Sequence, residues 1–166
     1  TYPITWNINY KGPKKYAPAI IRIDPDENAW LLTQNGIFVC NKKEKKVTHI
    51  YVTGSSHDSL PSRSIEAGVF NKYNNLWLSA SNGIQVYDWK KQTVLATHNI
   101  KFGLPSMIVK DIQADSSGKI WANTLAGLAL FDPQKKIWRN FNRFDGLEND
   151  YLDWNLFITA DNKIAI

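Results

Sequence analysis

The sequence predicts an all-β protein built from the blades of a β-propeller. Three observations point to this fold class. Short runs alternate apolar and polar residues, clusters of Gly, Asp, Asn and Ser separate them, and the pattern repeats every 44 to 47 residues. Alternation with a period of two between turn clusters is typical of short antiparallel strands. No stretch of ten residues has helical periodicity, so we expect strands throughout.

The clearest repeat lies between Ile108 and Asp132. An alternating run ends at Asp115, a turn reaches Gly118, a second run carries Trp121, and a further turn closes at Gly127 before a third run. Gly and Asp at these places favour tight turns between neighbouring strands. One such unit cannot bury its own apolar face, so it must pack against copies of itself.

Two earlier copies precede this repeat. Trp121 follows Trp77 by 44 residues, and Trp77 follows Trp30 by 47. The same offsets relate two further sets, which are Gly36, Gly83 and Gly127, and Thr33, Ala80 and Thr124. Each Trp also follows a carboxylate or amide by six residues, at Asp24, Asn71 and Asp115. We interpret these turn acids and the three Trp residues as structural, because an Asx side chain caps backbone donors in a hairpin.

The strands follow in order from this register. In the first blade we predict strands over Ala19–Asp24, Ala29–Thr33, Ile37–Cys40 and Val47–Val52. In the second blade we predict Leu76–Ala80, Ile84–Tyr87 and Val94–Asn99 as the later strands. The third blade extends from Ile108 to Phe141, and a fourth copy begins near Lys163, which follows Lys119 by 44 residues.

A repeat of about 44 residues with four strands is typical of a propeller blade, and propellers close with roughly four to eight blades. This chain holds three complete repeats and partial ones. We therefore interpret residues 1–166 as a partial propeller. Its expected divisions are 1–15 as the tail of a preceding blade, 16–58, 59–102 and 103–145 as blades, and 146–166 as the start of the next.

Composition limits the function classes. Of the 166 residues, 43% are hydrophobic and 21% are charged, which is typical of a globular protein rather than a disordered one. The net charge of +5 is spread over Lys11–Lys15, Lys42–Lys46 and Lys135-Lys136. The last two runs fall at equivalent turns between third and fourth strands, where we interpret them as solvated. Nucleic-acid binding needs one continuous basic face with a reading element, so we expect no nucleic-acid partner.

Cysteine content and hydropathy add two further limits. Cys40 is the single cysteine, so no disulfide within the chain supports the fold. No apolar run approaches the roughly 18 residues of a membrane-spanning helix. We interpret the chain as part of a longer protein, in which any membrane anchor lies elsewhere.

The repeat resembles that of two-component regulator propellers. That family's unit has Gly-Leu, spaced Val, Ile, Asp and Gly positions, an apolar residue before Trp, then Thr, Gly-Leu and Phe/Tyr-Asp. The third repeat matches at Gly103, Leu104, Val109, Ile112, Asp115, Gly118, Ile120, Trp121, Thr124, Gly127, Leu128, Phe131 and Asp132. The first two repeats match at the Trp and the second Gly, with Asn28, and Asn74 or Asn75, near the place of Gly118.

The resemblance implies a periplasmic location, in the ectodomain of an inner-membrane hybrid histidine kinase with seven-bladed propellers. It implies a sensor that responds to an oligosaccharide or another small ligand, with no catalytic residue, metal or cofactor in this part of the chain. The expected partners are the remaining propeller blades of the parent chain and, in the parent receptor, a second copy in a homodimer.

Enzyme classes remain as alternatives. The Asp115 turn resembles the Asp box of sialidases, but glycosidase chemistry needs two carboxylates at a defined separation, and no such pair is apparent. The repeat also resembles that of streptogramin-inactivating propeller lyases, which use a His base and a metal. His49 and His98 fall in predicted outer strands and His57 in a loop, and we interpret all three as noncatalytic. A purely structural scaffold is the third hypothesis.

We expect a ligand at one end of the blades. The turns from second to third strand, and from each outer strand to the next inner strand, lie at the same end. Amides and flat aromatic rings there suit the hydroxyls and apolar faces of sugars. The candidate ligand-binding residues are Gln34, Asn35, His57, Asp58, Ser81, Asn82, Phe102, Asp145 and Tyr151.

Overall fold

The computed structural model of the chain describes residues 20–33, 36–51, 65–150, 155–159, 161 and 163–165. Within these residues the chain forms fourteen β-strands and two three-residue 3₁₀ helices. The strands are β1 (Ile20–Ile23), β2 (Ala29–Thr33), β3 (Gly36–Asn41), β4 (Lys46–Tyr51), β5 (Gly68–Phe70), β6 (Leu76–Ala80), β7 (Gly83–Asp88), β8 (Thr93–His98), β9 (Val109–Ala114), β10 (Ile120–Thr124), β11 (Gly127–Asp132), β12 (Ile137–Phe141), β13 (Phe157–Ile158) and β14 (Ile164–Ala165). The 3₁₀ helices are Ile100–Phe102 and Arg143–Asp145.

The strands form three four-stranded antiparallel sheets and one two-stranded pair. The first sheet has the order β1-β2-β3-β4, the second β5-β6-β7-β8 and the third β9-β10-β11-β12, while β13 pairs with β14. Each strand therefore pairs with its neighbour along the chain, as in a propeller blade. The all-β prediction is confirmed, and the predicted bounds of the second strands agree with β2 and β6.

The sheets pack face to face, because the second strands of the first two sheets are buried along their whole length. Every residue of β2 and of β6 is buried. Between the first and second sheets the core contains Trp30, Leu32, Ile37, Val39, Ile65, Leu76, Leu78 and Tyr87. Between the second and third sheets it contains Trp77, Ile84, Val86, Ile112, Ile120, Ala122 and Phe131, among others. Leu128 and Leu156 continue the packing toward β13 and β14.

The turn between the first two strands is built around one side chain. Asp24 accepts from the Asn28 backbone N–H (2.8 Å) and from Trp30 Nε1 (2.8 Å). Asp115 does the same with the Lys119 backbone N–H (2.9 Å) and Trp121 Nε1 (3.4 Å). The carboxylate thus fixes both the hairpin and the orientation of the indole that packs in the core.

The second repeat departs from this arrangement. Asn71 Oδ1 accepts from the backbone N–H groups of Tyr73 and Asn75, each at 3.0 Å. The other polar atom of an Asn side chain is an NH₂ donor, which cannot accept from an indole. Trp77 Nε1 is buried and has no hydrogen-bond partner among the described residues. Its ring instead stacks on the His98 imidazole, with centroids 5.2 Å apart and planes inclined by 8°.

The same turn corrects one detail of the sequence interpretation. The left-handed position belongs to Gly118 (φ 89°), Asn74 (φ 63°) and Glu27 (φ 62°). The structure thus places Glu27, rather than Asn28, at the position of Gly118. The repeat offsets of 47 and 44 residues relate Glu27 to Asn74 and Gly118 and so predict its left-handed conformation. The general preference of Asn for left-handed turns favours Asn28 instead, which is wrong here.

Two of the lysine-rich runs, Lys42–Lys46 and Lys135-Lys136, lie at the turns predicted for them, and Lys11–Lys15 lies outside the described residues. Residues 42–45 connect β3 to β4, and residues 133–136 connect β11 to β12. Lys45, Gln92 and Lys136 have φ values of 52° to 56° at equivalent places in the three sheets. In the part of the chain that the structure describes, no helix has the length and apolarity needed to cross a bilayer.

Asn71→Asp should stabilise the protein. The substitution supplies the acceptor that Trp77 Nε1 lacks while keeping the acceptor used by the turn. A hydrogen bond to a charged group contributes roughly 1.5–3 kcal/mol, and burying the new charge offsets part of it. We expect about 1 kcal/mol more unfolding free energy, measured by urea denaturation.

The matched control is Asp115→Asn, which converts the third turn to the chemistry of the second. It should lower the unfolding free energy, because the Trp121 indole then loses its acceptor. A urea midpoint for Asn71→Asp at or below that of the unmodified chain would contradict this account of the turn.

Candidate functional site

A cleft lies where the first strands of successive sheets come together. Three side chains at one repeat position, Arg22, Gln113 and Phe157, each precede the Trp position of their repeat by eight residues. They line a common cavity of about 540 Å³. The repeat therefore places equivalent side chains around one cavity, although the three residues are of different types.

Polar contacts connect each first strand to the next sheet. Arg22 Nε donates to the Gly68 carbonyl (2.6 Å), linking the first sheet to the second. Lys110 Nζ donates to Glu66 Oε2 (3.4 Å), linking the third sheet to the residue that precedes β5. The Leu156 backbone N–H donates to Asp111 Oδ2 (2.8 Å), linking β9 to the segment before β13. These contacts join all the described sheets along the cleft.

Asp111 is a buried acid at this seam, with 6% of its surface exposed. Its Oδ1 accepts from the Ile112 backbone N–H (2.8 Å), and Gln113 Nε2 lies 3.3 Å from its Oδ2. Burial lowers the pKa of the Arg22 guanidinium, and the charge of Asp111 acts against this effect. Several donors therefore satisfy the oxygens of this buried carboxylate.

A second cavity, of about 480 Å³, adjoins the first. Its lining combines serine hydroxyls with apolar side chains: Ser79, Ala80, Ser81, Met107, Ile108, Val109 and Leu125. Glu66 and Lys110 line both cavities. We call the combined space the inner-strand cleft and define it by Arg22, Glu66, Ser79, Ser81, Lys110 and Asp111.

The residues that line the second cavity show at which end of the sheets it opens. Ser81 and Leu125 belong to the turns between second and third strands, and Met107 lies between an outer strand and the next inner strand. The second cavity therefore opens at the end of the sheets where the sequence analysis expects a ligand. A third cavity, of about 640 Å³, lies at the other end, where Glu27 and Lys42 form an ion pair across it.

Four of the predicted ligand-binding residues are described. Ser81 lines the inner-strand cleft, and Asn82 is its exposed neighbour in the same turn. Phe102 is 65% exposed in the first 3₁₀ helix. Asp145 caps the second 3₁₀ helix, where its Oδ2 accepts from the Asn142 backbone N–H (3.1 Å). The other five candidates, Gln34, Asn35, His57, Asp58 and Tyr151, lie outside the described residues.

Sequence reasoning missed the charged residues of the cleft. Glu66 and Lys110 are 44 residues apart and occupy one repeat position, so opposite charges at that position were a usable signal. Arg22 is a polar residue within an apolar run, Ile20–Ile23, which was a second signal. No such signal exists for Asp111, because its hydrogen-bond partner in the next repeat is a backbone N–H group.

His98 lies away from the cleft, between the second and third sheets. Its ring is stacked on Trp77, and the Phe131 centroid is 4.7 Å away. Its Nδ1 accepts from Trp138 Nε1 (3.3 Å). Burial in this aromatic cluster lowers the pKa of His98 below its ordinary value of 6.5.

No protein-family model matches the chain, and no curated protein matches it. Solved structures do. One is described as the extracellular domain of a hybrid two-component system of B. thetaiotaomicron, with 23% identity and a TM-score of 0.76 over 87% of this chain and 19% of that chain. A second such domain from the same organism has 21% identity and a TM-score of 0.73 over 93% of this chain and 19% of that chain.

This chain folds like part of those extracellular domains. Virginiamycin B lyase of Staphylococcus aureus is also similar, with 16% identity and a TM-score of 0.62 over 87% of this chain and 46% of that chain. At such identities the likeness establishes the fold. It confirms at that level the resemblance predicted from the repeat. The chain spans about a fifth of the length of the two extracellular domains.

The stability of the fold should depend on His98 in acid. Because its folded pKa is lowered, the neutral ring contributes stability that is complete above the unfolded pKa, 6.5. That contribution is lost as the pH falls through the folded pKa. Protonation also turns Nδ1 into a donor that faces the N–H of Trp138. We expect unfolding free energy, measured by urea denaturation, to fall from about pH 7 to about pH 5.

Two variants isolate this contribution. His98→Gln keeps an acceptor but does not titrate, and His98→Phe keeps an aromatic ring without a proton site. Both should show a smaller loss of stability over the same pH range. An unchanged pH slope in both variants would exclude His98 as its source.

Proposed function

We propose that the chain is a noncatalytic, ligand-sensing module of an extracellular or periplasmic receptor of the hybrid two-component type, and that its ligand is an oligosaccharide. The observation that carries this proposal is the inner-strand cleft. It brings charged and hydroxyl side chains from separate sheets to one concave surface. The likeness of fold to extracellular domains of two-component systems supports the same function.

The chemistry of the cleft suits a sugar. Carboxylate oxygens accept from hydroxyl groups, and ammonium, guanidinium and amide groups donate to them. Met107, Ile108 and Leu125 supply apolar surface beside these groups. Sugars present hydroxyl edges and apolar C–H faces, so a mixed lining can match both. Binding pockets commonly combine an apolar wall with a few convergent polar groups in this way.

The position of the cleft suits the transmission of ligand binding from one sheet to another. Its side chains come from the first, second and third sheets, so a bound ligand contacts several blades together. A ligand shifts a conformational equilibrium only by its differential affinity for the states. Contacts on several sheets provide such a difference whenever the sheets change their packing. In the parent receptor the remaining blades and a second copy would pass the change toward a histidine kinase.

The likeness to virginiamycin B lyase keeps a lyase as the second candidate. His98 is the one histidine whose side chain is described, and it packs between Trp77 and Phe131 instead of lining the cleft. A catalytic base must reach the proton that it removes. His98 is therefore not placed to act as a lyase base at the cleft.

The test is a thermal-shift screen of the complete parent ectodomain against a panel of oligosaccharides. A ligand that binds only the folded form raises the melting temperature, and at 100 times its Kd it adds about 2.7 kcal/mol. We expect one sugar class to give such a shift without being consumed. Ser81→Tyr, which fills the second cavity, should abolish the shift. Gln134→Tyr, in a turn at the opposite end of the sheets, should retain it.

Absence of a shift with every sugar would contradict the oligosaccharide proposal. Chelator-sensitive consumption of a sugar or lactone would favour the lyase instead. Both readings come from one set of samples, because the same mixtures can be analysed for products after melting.

A further inference from the structure

The ion pair between Glu66 and Lys110 occupies the junction of the two cavities. Glu66 precedes β5 in the second sheet, and Lys110 belongs to β9 in the third. Their side chains line both cavities and meet at 3.4 Å. A ligand that extends from one cavity into the other must therefore contact this pair.

We propose that the Glu66–Lys110 pair is the recognition point for a neutral oligosaccharide, whose adjacent hydroxyls donate to the carboxylate and accept from the ammonium. This inference rests on the proposed function, because it specifies the ligand class of the same cleft. It adds two claims of its own: the ligand carries no net charge, and these two residues determine its affinity.

The backbone that carries Glu66 and Lys110 is held in place, whereas their charged side chains are partly exposed. The Glu66 and Ala67 backbone N–H groups both donate to Ser79 Oγ, at 2.8 and 2.7 Å. On the other side, Val109 and Asp111 are buried on either side of Lys110. The charged side chains remain 45% and 35% exposed. Rigid backbone positions beneath exposed charged groups reduce the ordering that binding requires.

The direct contact between the Glu66 and Lys110 side chains can be replaced by contacts to a ligand. Its length of 3.4 Å is longer than the 2.7–2.9 Å of a well-formed charge-assisted hydrogen bond. An exposed ion pair contributes little to folding, because water competes for both partners. Sugar hydroxyls can therefore insert between carboxylate and ammonium without a large loss of protein stability. Both charges remain hydrogen-bonded after insertion.

The charges of the cleft favour a neutral ligand. Arg22 and Lys110 are cationic, and Glu66 and Asp111 are anionic, so the cleft residues balance. An acidic sugar would gain attraction from Lys110 but meet Glu66 beside it. A neutral sugar avoids this repulsion, and each hydroxyl can act as donor and acceptor. Placing charges of one sign against a ligand of that sign is a common source of specificity.

The test is calorimetric titration of the complete parent ectodomain with neutral oligosaccharides and with matched sugars that carry carboxylate or sulfate groups. Variants are Glu66→Gln, Glu66→Asp and Lys110→Met. The control is Lys101→Met, which removes an exposed lysine that lines none of the three cavities described above. Melting of each variant without sugar verifies that it is folded.

We expect a neutral oligosaccharide to bind, with affinity that changes less than about twofold between low and high salt. Glu66→Gln and Lys110→Met should each weaken binding by about tenfold or more, because each removes a charge-assisted hydrogen bond. Glu66→Asp should weaken it less, and Lys101→Met should leave it unchanged.

Two outcomes would overturn the inference while leaving the proposed function in place. One is preferential binding of an acidic sugar that becomes tighter in Glu66→Gln and weaker in high salt. The other is a neutral sugar that binds all folded variants equally. If no sugar of either class binds the unmodified ectodomain, the proposed function itself is wrong.

Discussion

The fold is held together by the packing of one sheet face against the next. Strands β2 and β6 are buried on both faces, so each of their sheets needs a neighbouring sheet to cover it. The large indoles of Trp30 and Trp77 lie in these interfaces. In two of three repeats a turn carboxylate holds the indole N–H, which couples hairpin geometry to the packing between sheets. Local turn chemistry and long-range packing therefore support one another.

The cleft follows from the same packing. Face-to-face stacking brings the first strands of successive sheets side by side, and their outward edges cannot all be covered by apolar residues. Polar contacts occupy this seam instead, from Arg22 through Glu66 and Lys110 to Asp111. The more buried contacts, at Arg22 and Asp111, join the sheets, whereas the exposed pair remains accessible to a ligand. The contacts that support the fold and the proposed recognition residues thus occupy adjacent places on the same strands.

The sequence predicts the repeat, the strand order and the bounds of the second strands, because these depend on alternation, on turn residues and on their regular spacing along the chain. It does not reveal which equivalent positions face the cleft. Ser81 was predicted from its turn alone, while Glu66 and Lys110 required a comparison between repeats. The missing partner of Trp77 Nε1 is visible only in the packed sheets, where Asn71 Oδ1 and His98 Nδ1 accept from other donors. Tertiary contacts of this kind leave no local pattern.

We propose that a ligand binds between the sheets at the inner-strand cleft and couples them. Hydrogen–deuterium exchange of the complete parent ectodomain, with and without a bound oligosaccharide, detects such coupling, because it reports local opening segment by segment. We expect slower exchange in the segments around Glu66 and around Lys110 together, with little change in the lysine-rich turns at the opposite end. Protection confined to those turns, or to the exposed 3₁₀ helices, would contradict it.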